Sequence, residues 1–234
     1  MDKKILIVLT IAVLAVLFAS FLIYDGGIKD DTKRVETIED LYSALESGSA
    51  VRLDADITFT EVHKSSKNIN WDLYVPAGAE SELDLNGHTL NCVSTWGIKV
   101  FGKLTIYGDG KVINSNENNS VVVGSAGSAD ALLIIRGGYY DNIGDSETVL
   151  ARDGGHVEIY DGTFTSKIPD VTYSNGCVLN IEDQSKSVIL AYGGTYIGYD
   201  PSRGDNNSGH STFVAEGYES VSVGDKTYTV KPKA

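Results

Sequence analysis

Five segments of the chain repeat one pattern at irregular intervals: Leu83-Asp84-Leu85-Asn86-Gly87, Leu104-Thr105-Ile106-Tyr107-Gly108, Leu133-Ile134-Ile135-Arg136-Gly137, Val157-Glu158-Ile159-Tyr160-Asp161 and Ile189-Leu190-Ala191-Tyr192-Gly193. Their starts lie 21, 29, 24 and 32 residues apart. A period of about 20–30 residues holding short strands, no helix and glycine corners is what a parallel β-solenoid requires. A leucine-rich repeat would show its Asn or Cys landmark, and a propeller blade would be longer. An antiparallel sandwich can alternate apolar and polar residues too, but it does not explain turn chemistry recurring in one phase.

The alternation assigns an interior. Leu83, Leu104, Leu133, Val157 and Ile189 form one inward column, and Leu85, Ile106, Ile135, Ile159 and Ala191 form a second. Each segment is followed by a bulky residue after its turn: Leu90, Val112, Tyr140, Phe164 and Tyr196. A further short run precedes most copies, as in Ile98–Val100, Val121–Val123, Val149–Ala151 and Val178–Leu179. Ahead of the repeats, Ile38, Leu41, Tyr42 and Leu45 fall at helical spacing, with Thr37 placed to cap the N-terminus and Gly48 to end the helix. Behind them, Gly224-Asp225-Lys226 between Ser220–Val223 and Thr227–Val230 reads as a closing hairpin. Open solenoid ends expose strand edges, and these two elements supply the caps.

Ile5 to Tyr24 carries no charge, and twenty helical residues span roughly 30 Å. Lys3 and Lys4 precede it, and a long acidic portion follows. The expectation is an uncleaved transmembrane signal anchor over residues 1–24 with the N-terminus inside, a juxtamembrane linker over 25–34 and an extracellular domain over 35–234. A cleaved signal peptide is the rival, although Leu17 occupies a position where cleavage wants a small residue. The membrane is thus one expected partner, through residues 5–24.

Charge narrows the other partners. Nineteen Lys plus Arg against 32 Asp plus Glu give −13 at neutral pH, which argues against nucleic acid, because phosphate contacts need clustered cations. Two cysteines are too few for a disulfide scaffold or a zinc site. Cys92 and Cys177 lie about three repeats apart, so at about 4.8 Å per step they are too distant to bridge, and both are expected as free thiols.

With the repeat in view, the chain resembles a right-handed parallel β-helix of the pectate-lyase-like superfamily, and more narrowly the short β-helix modules of bacterial surfaces and phage virions. Val35–Ile57 resembles their opening helix and first strand. Val75-Pro76-Ala77-Gly78 leading to Leu83–Leu90 resembles their first full coil, and Gly193–Tyr196 with Phe213–Tyr218 and Tyr228–Val230 resembles their last coil and cap. The resemblance implies an all-β fold: a single-stranded right-handed parallel β-helix with an N-terminal capping helix and a C-terminal hairpin, preceded by one transmembrane helix. It names no reaction, since such modules include lyases, hydrolases, adhesins and plain fibres.

Catalytic constellations are thin. A lyase of this fold needs clustered Asp for calcium and a basic residue on one face, but Asp153 and His156 sit in a turn where polar residues are the default. Glycoside hydrolysis needs two opposed carboxylates, and Glu158 has no evident partner on the outward strand positions. His63, His88, His156 and His210 lack metal-ligand spacing, and the Asp200–Gly209 loop lacks an EF-hand pattern, so no cofactor and no metal are expected.

One outward pattern carries a binding expectation. Asn86, Tyr107, Arg136, Tyr160 and Tyr192 occupy the same outward position down the repeats, with Glu158 beside them. Such a ladder suits sugar rings or a protein partner, and it also suits plain cross-strand stacking. The reading is a membrane-anchored extracellular non-catalytic module for adhesion, surface display or virion structure. A surface glycan or host receptor would bind Tyr107, Arg136, Glu158, Tyr160 and Tyr192, and homo-oligomers are a further expectation. A lyase or hydrolase of the same fold, and a spacer fibre or capsid-decorating protein, are the alternatives.

Overall fold

The computed structural model describes residues 31–59, 63–64, 70–115, 121–169, 177–182, 186–204 and 212–234. The strands below belong to the compact unit Lys33–Ala234. Among the described residues there is one α-helix, α1 (Ile38–Glu46). Thr37 caps it, its side chain accepting from the Asp40 amide at 3.2 Å, and Leu41, Ala44 and Leu45 turn inward.

Strands are numbered in chain order. The larger sheet has 13 of them. One strip of it contains β1 (Lys33–Val35), β2 (Ala50–Leu53), β6 (Glu80–Asp84), β9 (Lys103–Tyr107) and β16 (Val188–Ala191). The neighbouring strip contains β3 (Ile57–Thr58), β7 (Thr89–Cys92), β10 (Lys111–Asn114) and β17 (Thr195–Ile197). Two long strands, β12 (Leu132–Asn142) and β14 (His156–Ser166), run through both strips. The last two strands, β18 (Tyr218–Gly224) and β19 (Thr227–Pro232), join antiparallel to β17 and close the sheet. A second sheet of six strands takes β4 (His63–Lys64), β5 (Asn70–Val75), β8 (Trp96–Val100), β11 (Val121–Ser125), β13 (Val149–Ala151) and β15 (Leu179–Ile181).

This corrects two expectations. The strands do not form the single-stranded β-helix inferred from the repeat: hydrogen bonding divides them between two sheets. Nor does the transmembrane element stand. The expected anchor over 5–24 lies outside the described residues, and among those residues no helix is long and apolar enough to cross a membrane. The membrane-anchored, N-in placement and the membrane as a partner are therefore dropped.

What holds the tiers together is continuous burial along the stack. Leu104, Leu133, Val157 and Ile189 stack in one fully or nearly buried column, and Leu83, Ile106, Ile135, Ile159 and Ala191 in the next. The first tier is offset by two residues from the sequence alignment. Ser81, not Leu83, faces Leu104, and Leu83 faces Ile106. The alignment matched Gly87 with Gly108, but Asn86 and Gly87 form a separate left-handed turn (φ 46° and 79°), closed by the His88 amide donating to the Leu85 carbonyl. Leu85 is buried at this bend, against Gly110 and Gly138.

In the neighbouring strip Leu90, Val112, Tyr140, Phe164 and Tyr196 form a third buried column. Its rings stack nearly parallel, Tyr140 on Phe164 at 5.0 Å and Phe164 on Tyr196 at 5.2 Å. Several buried polar groups are paired. Asp72, fully buried, accepts from the amides of Val93 (2.6 Å) and Ser94 (2.9 Å) and from the Ser94 hydroxyl (2.6 Å). Asn114 donates to Asn142 at 2.9 Å one tier on. Cys92 and Cys177 are both buried and form no disulfide, and burial pushes the Cys92 thiol up.

Candidate functional site

The pairing of β12 with β14 breaks step twice, between Ile135 and Arg136 and again between Arg136 and Tyr139. Bulges of this kind bend a strand and redirect its side chains. Here the bend falls where one strip of the larger sheet passes into the other, and both candidate features lie along it.

The first is the ladder. Arg136 sets its guanidinium 4.4 Å from the centre of the Tyr160 ring. On the next tier Tyr192 stacks on Tyr160 at 4.9 Å, with only 9° between the planes. Tyr218, on the closing hairpin, meets Tyr192 edge-on at 5.4 Å. Tyr160 donates from its hydroxyl to Glu158 at 2.9 Å. Burial, reinforced by that bond, pushes the Tyr160 phenol up to about 12. Burial also raises Tyr192, so both remain hydroxyl donors at neutral pH. Of the expected residues, Arg136, Glu158, Tyr160 and Tyr192 come together, and Tyr218 joins them from outside the repeat. Tyr107 lies one tier before Arg136, while Asn86 leaves the series, because Asp84 is the residue beside Tyr107.

This geometry changes what the ladder can do. Both faces of Tyr160 are taken, one by Arg136 and one by Tyr192. A sugar ring stacks on an aromatic face, and what this row offers a ligand is ring edges and hydroxyls. Its first role is to join tiers. Tyr160→Ala should therefore lower stability by about 2 kcal/mol, the sum of one cation–π and one ring contact. Tyr160→Phe, which loses only the hydroxyl bond, should cost about 1 kcal/mol or less. Urea midpoints of the two variants measure this, and an unchanged midpoint for the alanine variant would mean the row contributes nothing.

The second feature is a groove of about 250 Å³ beside the ladder, lined by Asp109, Gly137, Gly138, Tyr139, Asp161, Gly162 and Thr163. Glycine makes the trough. Gly138 has φ +91°, a conformation in which an L side chain is strained. One tier beyond Gly162, a Cβ on Gly193 would lie 1.9 Å from the Tyr160 carbonyl oxygen, so only glycine permits the turns to stack this closely. Asp109 and Asp161 are exposed, and Tyr139 and Thr163 form a half-buried wall. Lys111 holds its ammonium 5.8 Å from the Tyr139 ring centre. Burial raises the Tyr139 phenol and the neighbouring Asp141 carboxyl. No group of acids, histidines and cysteines among the described residues could hold a metal ion.

The groove is not evident from the apolar repeat, although the sequence carries its signal. Gly137-Gly138, Asp161-Gly162 and Gly193-Gly194 follow the ladder position in three successive tiers. A row of missing side chains beside a row of large ones is a trough. Asp109 and Asp161 read individually as turn residues, and only the stacking of tiers puts them in one groove.

Comparison with known proteins gives no relative: no family model, no curated protein and no solved structure matches the chain.

Proposed function

We propose that the chain is a non-catalytic recognition module that holds an uncharged glycan in the groove at the bend of the larger sheet, in the service of attachment or surface display. The observation that carries this reading is the lining itself: two carboxylates, a phenol, a threonine hydroxyl and bare glycine backbone in one open trough. These are donors and acceptors suited to sugar hydroxyls, and backbone without side chains lets a ring approach closely. The lining carries two carboxylates, with the Lys111 ammonium against the Tyr139 wall, and the chain carries −13 overall, which disfavours polyuronates and sulfated glycans. A pure spacer would need no such trough.

The test is a panel of neutral and acidic polysaccharides probed with the full-length chain and with Thr163→Trp. Tryptophan suits a strand position, so the variant should fold while filling the groove. Neutral glycans should be retained by the parent and weakened at least about tenfold in the variant, a loss of about 1.4 kcal/mol. No retention on any glycan, or equal retention by both proteins, would overturn the reading.

Asp109 and Asp161 also support a second reading, hydrolysis. They stand two tiers apart, roughly 10 Å by strand spacing, close to the upper limit for an inverting carboxylate pair. A reducing-sugar assay on the retained glycans separates the two, since recognition alone releases no new ends.

A further inference from the structure

Granted the glycan reading above, the spacing of the groove also restricts the shape of its ligand. Its lining comes from three successive tiers, each displaced from the last by the strand spacing of about 4.8 Å. The tiers differ in what they present. Asp109 stands on the first, the glycine pair Gly137-Gly138 on the second, and Asp161 with Gly162 on the third. The carboxylates therefore recur after two tiers, roughly 10 Å, with an unobstructed step between them.

We propose that the groove takes a linear β-1,4-linked neutral glycan lying across the tiers, one ring to a tier. In such a chain each ring is turned by about half a revolution from the last, so the same hydroxyl edge returns at every second ring. That edge meets Asp109 and then Asp161, two strong acceptors. The intervening ring turns its bulkier edge toward Gly137 and Gly138, where there is no side chain to collide with. Tyr139 and Thr163 flank these positions with hydroxyls, and the ladder bounds the other side. An α-1,4-linked chain coils, and its hydroxyl edges leave the line joining the two carboxylates within one repeat.

The experiment is calorimetric titration of the full-length chain with cello-, chito- and manno-oligosaccharides of increasing length, beside malto-oligosaccharides of the same lengths. In at least one β-linked series, affinity should climb about tenfold from the dimer to the trimer and then level off. The α-linked series should stay about tenfold weaker at equal length. Asp161→Ala, at an exposed position, should remove the gain on lengthening, leaving the trimer no tighter than the dimer. A flat length series, or equal binding of the α- and β-linked chains, would overturn this arrangement while leaving glycan recognition in place. Failure of every glycan, polymer or oligomer, would overturn both.

Discussion

Ile135→Asp is expected to yield no folded protein at 25 °C, whereas Ile134→Asp, one residue away, should remain folded. Ile135 is fully buried between Ile106 and Ile159 in the second inward column. An ionised carboxylate there has no cation to pair with and no donors aimed at it, which costs several kcal/mol even after its pKa adjusts. The whole domain has only about 5–15 kcal/mol of stability to lose. Ile134 points the other way, half-exposed between Thr105 and Glu158. An Asp beside Glu158 adds a like-charge contact of about 1 kcal/mol or less. Circular dichroism and urea titration of the purified pair would separate them. Equal behaviour would mean that β12 faces the other way.

Phe164→Ala should be the most costly truncation among the stacked rings, at about 3–5 kcal/mol. The side chain is fully buried, with Tyr140 5.0 Å away on one side and Tyr196 5.2 Å away on the other. Both neighbours are tied in place by their hydroxyls, Tyr140 donating to the Gly137 carbonyl and Tyr196 to that of Gly193. Those bonds hinder collapse into the space left behind, so the cavity persists and the upper part of the range applies. A urea midpoint lowered by less than the equivalent of about 1.5 kcal/mol would show that the neighbours close over the gap.

These two positions also mark how far the sequence alone could be read. The central tiers were legible because apolar alternation and a glycine corner coincide there. Ile106, Ile135, Ile159 and Ala191 do share a column, as do Val112, Tyr140, Phe164 and Tyr196. The first tier was not, because Gly87 looks like Gly108 in sequence yet closes a turn of different length. The division into two sheets was also hidden. Short runs such as Val121–Val123 and Val149–Ala151 mark strands, but strand periodicity says nothing about which edges pair. At the site, large residues in phase located the ladder correctly from Arg136 to Tyr192. Whether their faces were open or already occupied depends on distances of 4–5 Å between tiers, which no residue pattern encodes. The carboxylates of the groove are hidden in the sequence for the opposite reason: an Asp next to Gly in a turn is ordinary until another tier repeats it nearby.

The two ends of the larger sheet have a consequence for how this molecule could vary over generations. Tiers in the middle of the larger sheet meet the tier before and the tier after through parallel pairing, while α1 near β1 and the antiparallel pair β18 and β19 finish the stack. A duplicated stretch of gene encoding one central tier, such as the 24 residues from Leu133 to the residue before Val157, would insert without disturbing either finish. The trough would grow by one strand spacing each time. On the glycan reading proposed above, the length of ligand held would then be a heritable dimension, adjustable in whole steps.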